Sequence, residues 1–196
     1  MKSIRKNIGY PDTGSNMSRW EVFGSLLAMG FLVNFVRVVF APLLQPVAME
    51  FHVATASLGV VTTAAWLGSA APRLPTGVLL TRIDRHLVIA ATGALLVVTA
   101  IFTALSASVL HLTVGAFLLG LSSGMYFIAA NPLVSELFPD RILGAVAIHG
   151  LARQVAAVVA PLVVALLLFV ADWRTTFFVV ALAAAATTAL LVYSAK

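Results

Sequence analysis

The sequence predicts an all-α membrane protein with six transmembrane helices, and three observations carry that prediction. Of its 196 residues, 61% are hydrophobic and 10% are charged, against roughly 45–50% and about 25% in an average globular domain. A water-soluble chain of this size has too little interior to hide so much apolar surface. Six stretches, near 20–44, 57–80, 87–106, 109–133, 142–169 and 175–194, reach the roughly 20 mostly apolar residues that a spanning helix requires. The basic residues then fall on alternate connections. With the N-terminus in the cytoplasm, Lys2, Arg5, Lys6, Arg19, Arg82, Arg85, Arg141 and Lys196 lie inside and Arg174 alone lies outside, as the positive-inside rule requires. Six crossings return the C-terminus to the cytoplasm, so the expected location is the cell membrane, multi-pass.

The same figures exclude other classes. The formal charge of +5 is scattered rather than gathered into a tract, which argues against a nucleic-acid partner. With no cysteine there is no disulfide framework, thiolate metal site or cysteine nucleophile. No cofactor and no metal are expected.

Along the chain, residues 1–19 are polar and contain Gly, Pro, Asp and Asn. They read as a disordered cytoplasmic lead-in, not a cleavable signal peptide, because the apolar run that follows is too long and lacks a small-residue cleavage site. Residues 20–196 form one six-helix bundle with connections too short for a soluble domain. In the first span, Gly30, Asn34, Arg37 and Ala41 recur at helical spacing as a small-and-polar stripe. In the second, Trp66, Ser69, Arg73 and Thr76 share a face. The fourth contains Tyr126 and Asn131, and the fifth has His149 and Arg153 one turn apart with Gln154 beside them.

Each arginine within a span is costly in hydrocarbon and must face protein or water. No Asp or Glu lies well inside a span; Glu21 and Glu50 flank the first, and Asp84, Glu136, Asp140 and Asp172 are in connections. Arg37, Arg73 and Arg153 are therefore surplus positive charge, for which an anionic substrate is a natural partner. Arg37 and Arg73 have a second reading, snorkelling to headgroups; Arg153 is nearer mid-span. His149, well inside a span, can carry a coupling proton or stay neutral and bonded to a neighbouring helix. Asn34, Asn131, Tyr126 and Gln154 can orient a ligand or bridge helices.

Gly120-Leu121-Ser122-Ser123-Gly124 matches G-x-S-x-G, the nucleophile elbow of hydrolases, which needs a strand-to-helix turn. Inside an apolar helix the same residues read as G-x-x-x-G, a close-packing device. An intramembrane serine protease needs G-x-S-G, and neither serine has both glycines.

The segment Gly77-Val78-Leu79-Leu80-Thr81-Arg82-Ile83-Asp84-Arg85-His86 resembles the loop motif G-x-L-x-D-R-x-G-R-[KR] of the major facilitator superfamily, between its second and third helices. Glu136-Leu137-Phe138-Pro139-Asp140-Arg141 is similar to that family's loop between helices four and five. Trp173-Arg174-Thr175-Thr176-Phe177 resembles the start of its sixth helix, and Arg37 followed by Pro42 and Pro46 resembles the end of its first. The resemblance implies one six-helix bundle of a major-facilitator-type fold, a secondary transporter working by alternating access, and a gating loop containing Gly77, Arg82, Asp84 and Arg85. It departs from the pattern at Thr81, where the family has an acidic residue, and at Asp84, where it has a glycine. Ala160-Pro161-Leu162-Val163-Val164-Ala165 keeps the proline of the antiporter motif without its glycines, which argues against a drug/proton antiporter. Arg73-Leu74-Pro75-Thr76-Gly77 is similar to a segment of nitrate/nitrite porters whose arginine binds the anion, although the glycine- and asparagine-rich fifth-helix motif of those porters is missing.

Family members pair two such bundles around a midplane site. The expected partners are thus the lipid bilayer, a small solute with a lean to an anion, and a second six-helix half, supplied in trans or by a homodimer. The alternative is a truncated half-transporter or regulatory subunit that transports nothing itself.

Overall fold

A computed structural model describes residues 16–194; the predicted lead-in over 1–15 lies outside the described residues. The elements are α1 (Asn16–Val38), α2 (Phe40–Phe51), a 3₁₀ turn (Thr55–Leu58), α3 (Gly59–Ala70), α4 (Arg73–Leu79), α5 (Arg85–Ala104), α6 (Val109–Leu137), α7 (Ile142–Val170) and α8 (Trp173–Ser194). α1 starts ahead of the predicted boundary because neither Gly nor Pro interrupts the four residues before Trp20. α1, α5, α6, α7 and α8 are each long and apolar enough to cross a membrane. The remaining crossing is α3 followed by α4, and the chain is a multi-pass, all-helical membrane protein.

Prolines explain where the crossings break. Pro42 and Pro46 offer no amide to the carbonyls four residues before them, and the first crossing divides at Val39 into α1 and α2. It consequently runs on to Phe51, beyond the predicted end near 44. Pro72 and Pro75 divide the predicted single helix over 57–80 in the same way, between Ala70 and Arg73. Pro132 in α6 and Pro161 in α7 stay within continuous helices, as membrane helices tolerate when neighbours re-satisfy the backbone.

α6 packs against α3, α5 and α1; α1 is wrapped by α6, α7 and α8; α5 lies along α8. The closest approach is between α3 and α6. A Cβ at Gly120 would run into the Ala65 carbonyl, one at Gly124 into the Ser69 carbonyl, and one at Gly68 into the Phe117 carbonyl. Three glycines thus let the two backbones touch. Ser122 and Ser123 are both buried within a continuous helix, without the strand-to-helix turn that a nucleophile elbow needs, so the pentapeptide is a packing device. Hydroxyls inside the bundle bond back to their own helices, as Thr92 does to Val88 (2.8 Å), Thr103 to Thr99 (2.7 Å) and Thr188 to Ala184 (2.7 Å), so they need no water.

The crossings alternate, which defines two ends. The proximal end holds the start of α1 and the α4–α5 and α6–α7 turns. The distal end holds the α2 terminus and the α5–α6 and α7–α8 turns. At the proximal end Arg85 pairs with Glu136, joining α5 to α6, and Phe138 packs on Trp20 and Phe23 with ring centroids 4.9 Å apart in both pairs. At the distal end Glu50 accepts hydrogen bonds from Trp173 Nε1 (2.5 Å) and Arg174 (2.8 Å), and Arg174 also donates to the Ser106 carbonyl (2.9 Å). This clip ties α2, α8 and the α5–α6 turn together.

Arg174, by its hydrogen bond, holds the Glu50 carboxyl below its ordinary value of 4.5. The pair therefore stabilises the fold above that value, and the contribution disappears as pH falls through the lower, folded-state value. Both side chains are partly exposed, so the effect is expected to stay below about 1 kcal/mol. Thermal melts of the detergent-solubilised chain should show a drop in midpoint between pH 6 and pH 3 that Glu50→Gln makes smaller; an unchanged drop would remove Glu50 from the acid response.

Apolar side chains face outward around most of the bundle, on α5 (Val98, Ile101, Phe102) and α8 (Phe178, Leu182, Tyr193) as well as on α7, α3 and α4. On α7, Leu143, Leu151, Val158, Leu162, Leu166 and Phe169 are exposed, and on α3 and α4 so are Trp66, Leu67, Leu74 and Val78. Gly77, the first residue of the loop motif, has open space where a side chain would stand. Any residue packing there has to come from outside the described bundle.

Candidate substrate site

Three helices present residues at i, i+3 or i+4 to one point between them. α1 supplies Val33, Asn34 and Arg37, α6 supplies Ser123, Tyr126 and Phe127, and α7 supplies Gly150, Arg153 and Gln154; together they line a pocket of about 90 Å³. That volume holds about three waters. Asn34, Arg37, Tyr126, Arg153 and Gln154 of the predicted residues meet here. Arg73 reaches the same place indirectly, through the ring of Phe127. Asn131, one turn beyond Phe127, lies outside the lining, with its buried Oδ1 unpartnered.

Asn34 uses both ends of its amide. Its Nδ2 donates to the Arg153 carbonyl (2.6 Å), and its Oδ1 accepts from the Arg37 guanidinium. One side chain thereby cross-links α1 to α7 and aims a cation. Arg73 Nε donates to the Ser69 carbonyl across the proline break (3.1 Å). The guanidiniums are further held by aromatic faces. Arg153 lies 4.5 Å and Arg73 5.3 Å from the centroid of Phe127, and Arg37 lies 4.3 Å from that of Trp66, all within cation–π range. The sequence grouping of Trp66 with Arg73 is thus replaced by a contact between helices. Arg73 itself stays one turn beyond Ser69, to whose carbonyl it bonds.

Arg37, Arg73 and Arg153 are within electrostatic reach of one another, and among the described residues none has a carboxylate partner. Arg37 Nε and Arg153 Nε are buried without any hydrogen-bond partner. Aromatic faces offset part of the cost of these charges, but both Nε donors stay unsatisfied.

Behind the wall, Tyr126 and His149 are fully buried. The Tyr126 hydroxyl donates to the Leu26 carbonyl (2.5 Å) and lies 3.0 Å from His149 Nε2. Gly30 makes this possible: a Cβ there would sit 3.1 Å from His149 Nε2 and 3.2 Å from Arg153 Cγ. Of the gating-loop residues, Gly77, Arg82 and Asp84 are exposed and Arg85 is tied to Glu136.

Sequence reasoning missed Phe127, Ser123 and the aromatic plate under Arg37. Phe127 carried a weak signal, following Ser123 by four residues on the same helical face.

A model of the Major Facilitator Superfamily matches residues 26–195. Among solved structures, a bacterial homologue of the human lysosomal transporter Spinster, in an inward-facing and unoccupied conformation, superposes with a TM-score of 0.81 at 20% identity, covering 92% of this chain and 44% of that one. The chain therefore spans less than half the length of that transporter. No curated protein sequence matches it. With the family model matched over nearly every crossing, and a six-crossing bundle that superposes on half of a solved transporter, the chain belongs to the major facilitator superfamily.

Proposed function

We propose that this bundle is one half of a secondary transporter for a small anionic solute, which it binds between α1, α6 and α7 and releases by alternating access against a second six-helix half. The observation carrying the anion preference is the convergence of Arg37, Arg73 and Arg153 with no carboxylate among them and two buried Nε groups unpartnered. An anion supplies what each lacks: opposite charge and hydrogen-bond acceptors. Arg153 and Arg37 bind it, Arg73 adds positive potential from across Phe127, and Gln154 and Tyr126 shape the pocket. Asn131 is the remaining polar candidate on the α6 face.

The exposed apolar faces of α7, α3 and α4, and Gly77 with open space before it, are where the second half docks. Either a second copy or a separate six-helix chain meets that need; parallel pairing matches the way the two halves of the family repeat. The excess of basic residues at the proximal end, Arg19, Arg82, Arg85 and Arg141 against Arg174 at the distal end, supports a cytoplasmic proximal end, with both termini on that side, in a cell-membrane protein. The loop from Gly77 to Arg85 then works as the cytoplasmic latch.

Proteoliposomes containing the chain should accumulate or exchange at least one of nitrate, sulfate and benzoate, and leave glycerol and choline outside. Uptake indifferent to the sign of the solute's charge would overturn the anion reading. Exchange that appears only when a second six-helix chain is co-reconstituted would identify the missing half as a separate protein.

A further inference from the structure

The deepest unexplained polar group lies one hydrogen bond behind the pocket. His149 is fully buried, and its Nδ1 has no partner. The proton count at its other nitrogen is determined by the neighbours. A phenol has one proton to donate, and Tyr126 spends it on the Leu26 carbonyl, which can only accept (2.5 Å). The 3.0 Å contact between Tyr126 and His149 Nε2 must then run the other way, with Nε2–H donating to the phenol oxygen. Neutral His149 therefore carries its proton on Nε2 and leaves a bare lone pair at Nδ1. A buried acceptor without a donor costs free energy, and this network can take up a proton at that lone pair without breaking any bond it already makes.

What opposes that proton is charge. From α1, His149 faces the Leu26 carbonyl and Gly30, with Arg37 beyond, joined through Asn34; from α6 it faces Tyr126; on its own helix it has Arg153. The other elements packed on α7 are α2 and α8, whose ionised groups, Glu50 and Arg174, are paired with each other at the distal end. Among the described residues, the other carboxylates on these helices are at the proximal end, Glu21 near the start of α1 and Glu136 paired with Arg85, and none offsets a second positive charge beside Arg153. An anion in the pocket would.

We infer that His149 Nδ1 is a proton-binding site linked to anion occupancy through Arg153, so that the bundle takes up one anion together with one proton. The inference rests on the anion reading above and adds the coupling ion to it. The proton comes from hydronium of the bulk solvent, which is left as water, and gives an imidazolium whose Nε2–H still donates to Tyr126. The bound anion neutralises Arg153, which lowers the cost of that imidazolium; by reciprocity the imidazolium tightens anion binding.

The test measures the affinity of the purified full chain in nanodiscs for nitrate, sulfate and benzoate between about pH 5 and 8, where an imidazole titrates. Affinity is expected to tighten as pH falls, by up to about tenfold per unit for one linked proton. In His149→Gln, whose carboxamide can still donate to Tyr126 but cannot titrate, binding should persist and the pH slope should vanish. Nitrogen NMR of ¹⁵N-histidine-labelled wild type provides a reading that needs no variant: adding anion should convert one bare Nδ1 to a protonated one. Anion binding that ignores pH, a slope that survives in H149Q, or imidazole signals unmoved by anion would overturn the linkage and leave the anion reading standing. Absence of anion binding at every pH would overturn both.

Discussion

Arg153→Ala should weaken anion binding by about 10- to 100-fold, the loss expected for one charge-assisted hydrogen bond of about 1.5–3 kcal/mol. The fold should survive, because Asn34 bonds to the backbone carbonyl of residue 153 and not to its guanidinium. Arg153→Lys should recover only part of the loss, since an ammonium retains the charge but not the planar fork that lies against Phe127. Arg141→Ala, at the exposed α6–α7 turn, serves as the control and should change nothing. Calorimetric titration of detergent-purified variants with the anion that binds wild type checks all three. If Arg153→Ala and Arg141→Ala bound equally well, the pocket would not be the anion site.

Gly120→Leu should prevent the bundle from assembling. Even a single Cβ at this position would overlap the Ala65 carbonyl, with the Ser69 amide 2.8 Å away, so a leucine has to push two backbones apart. Overpacking of ordinary cores costs about 1–3 kcal/mol where side chains can shift; here backbone must move, and the cost should be at the top of that range or above it. Gly124→Val should behave similarly, against the Ser69 carbonyl. Gly144→Ala, with nothing within 4 Å of the added atom, should be neutral. Size-exclusion profiles of fluorescently tagged variants would show the first two as aggregated and the third as wild type; monodisperse Gly120→Leu would refute the close α3–α6 contact.

Much of the candidate site was legible residue by residue, but less of its wiring was. Arg37 and Arg153 stood out because a guanidinium in an apolar stretch has no inexpensive explanation, and the structure brings both to one pocket. Asn34 was legible as a polar group on the right face, yet its amide is occupied by Arg153 and Arg37, a pairing across 119 residues that no local pattern contains. Trp66 looked like a companion of Arg73 only while the second crossing was taken as one helix. The prolines that divide it were visible; that Arg37 of α1 would reach across to the Trp66 ring was not. Glu50 and Arg174 each looked like an isolated charge flanking a span, and the clip they form depends on α2 and α8 ending side by side.

By itself the sequence determined the solvent, the number of crossings, the glycine seam and the surplus of positive charge within the spans, because each follows from local composition or from spacing along one helix. Only the tertiary structure decided which arginine rests on which aromatic ring, what each end of the Asn34 amide bonds and that His149 lies against Tyr126. Those outcomes depend on distances between helices far apart in the chain, and a hydrogen bond or cation–π contact is won or lost over about an ångström.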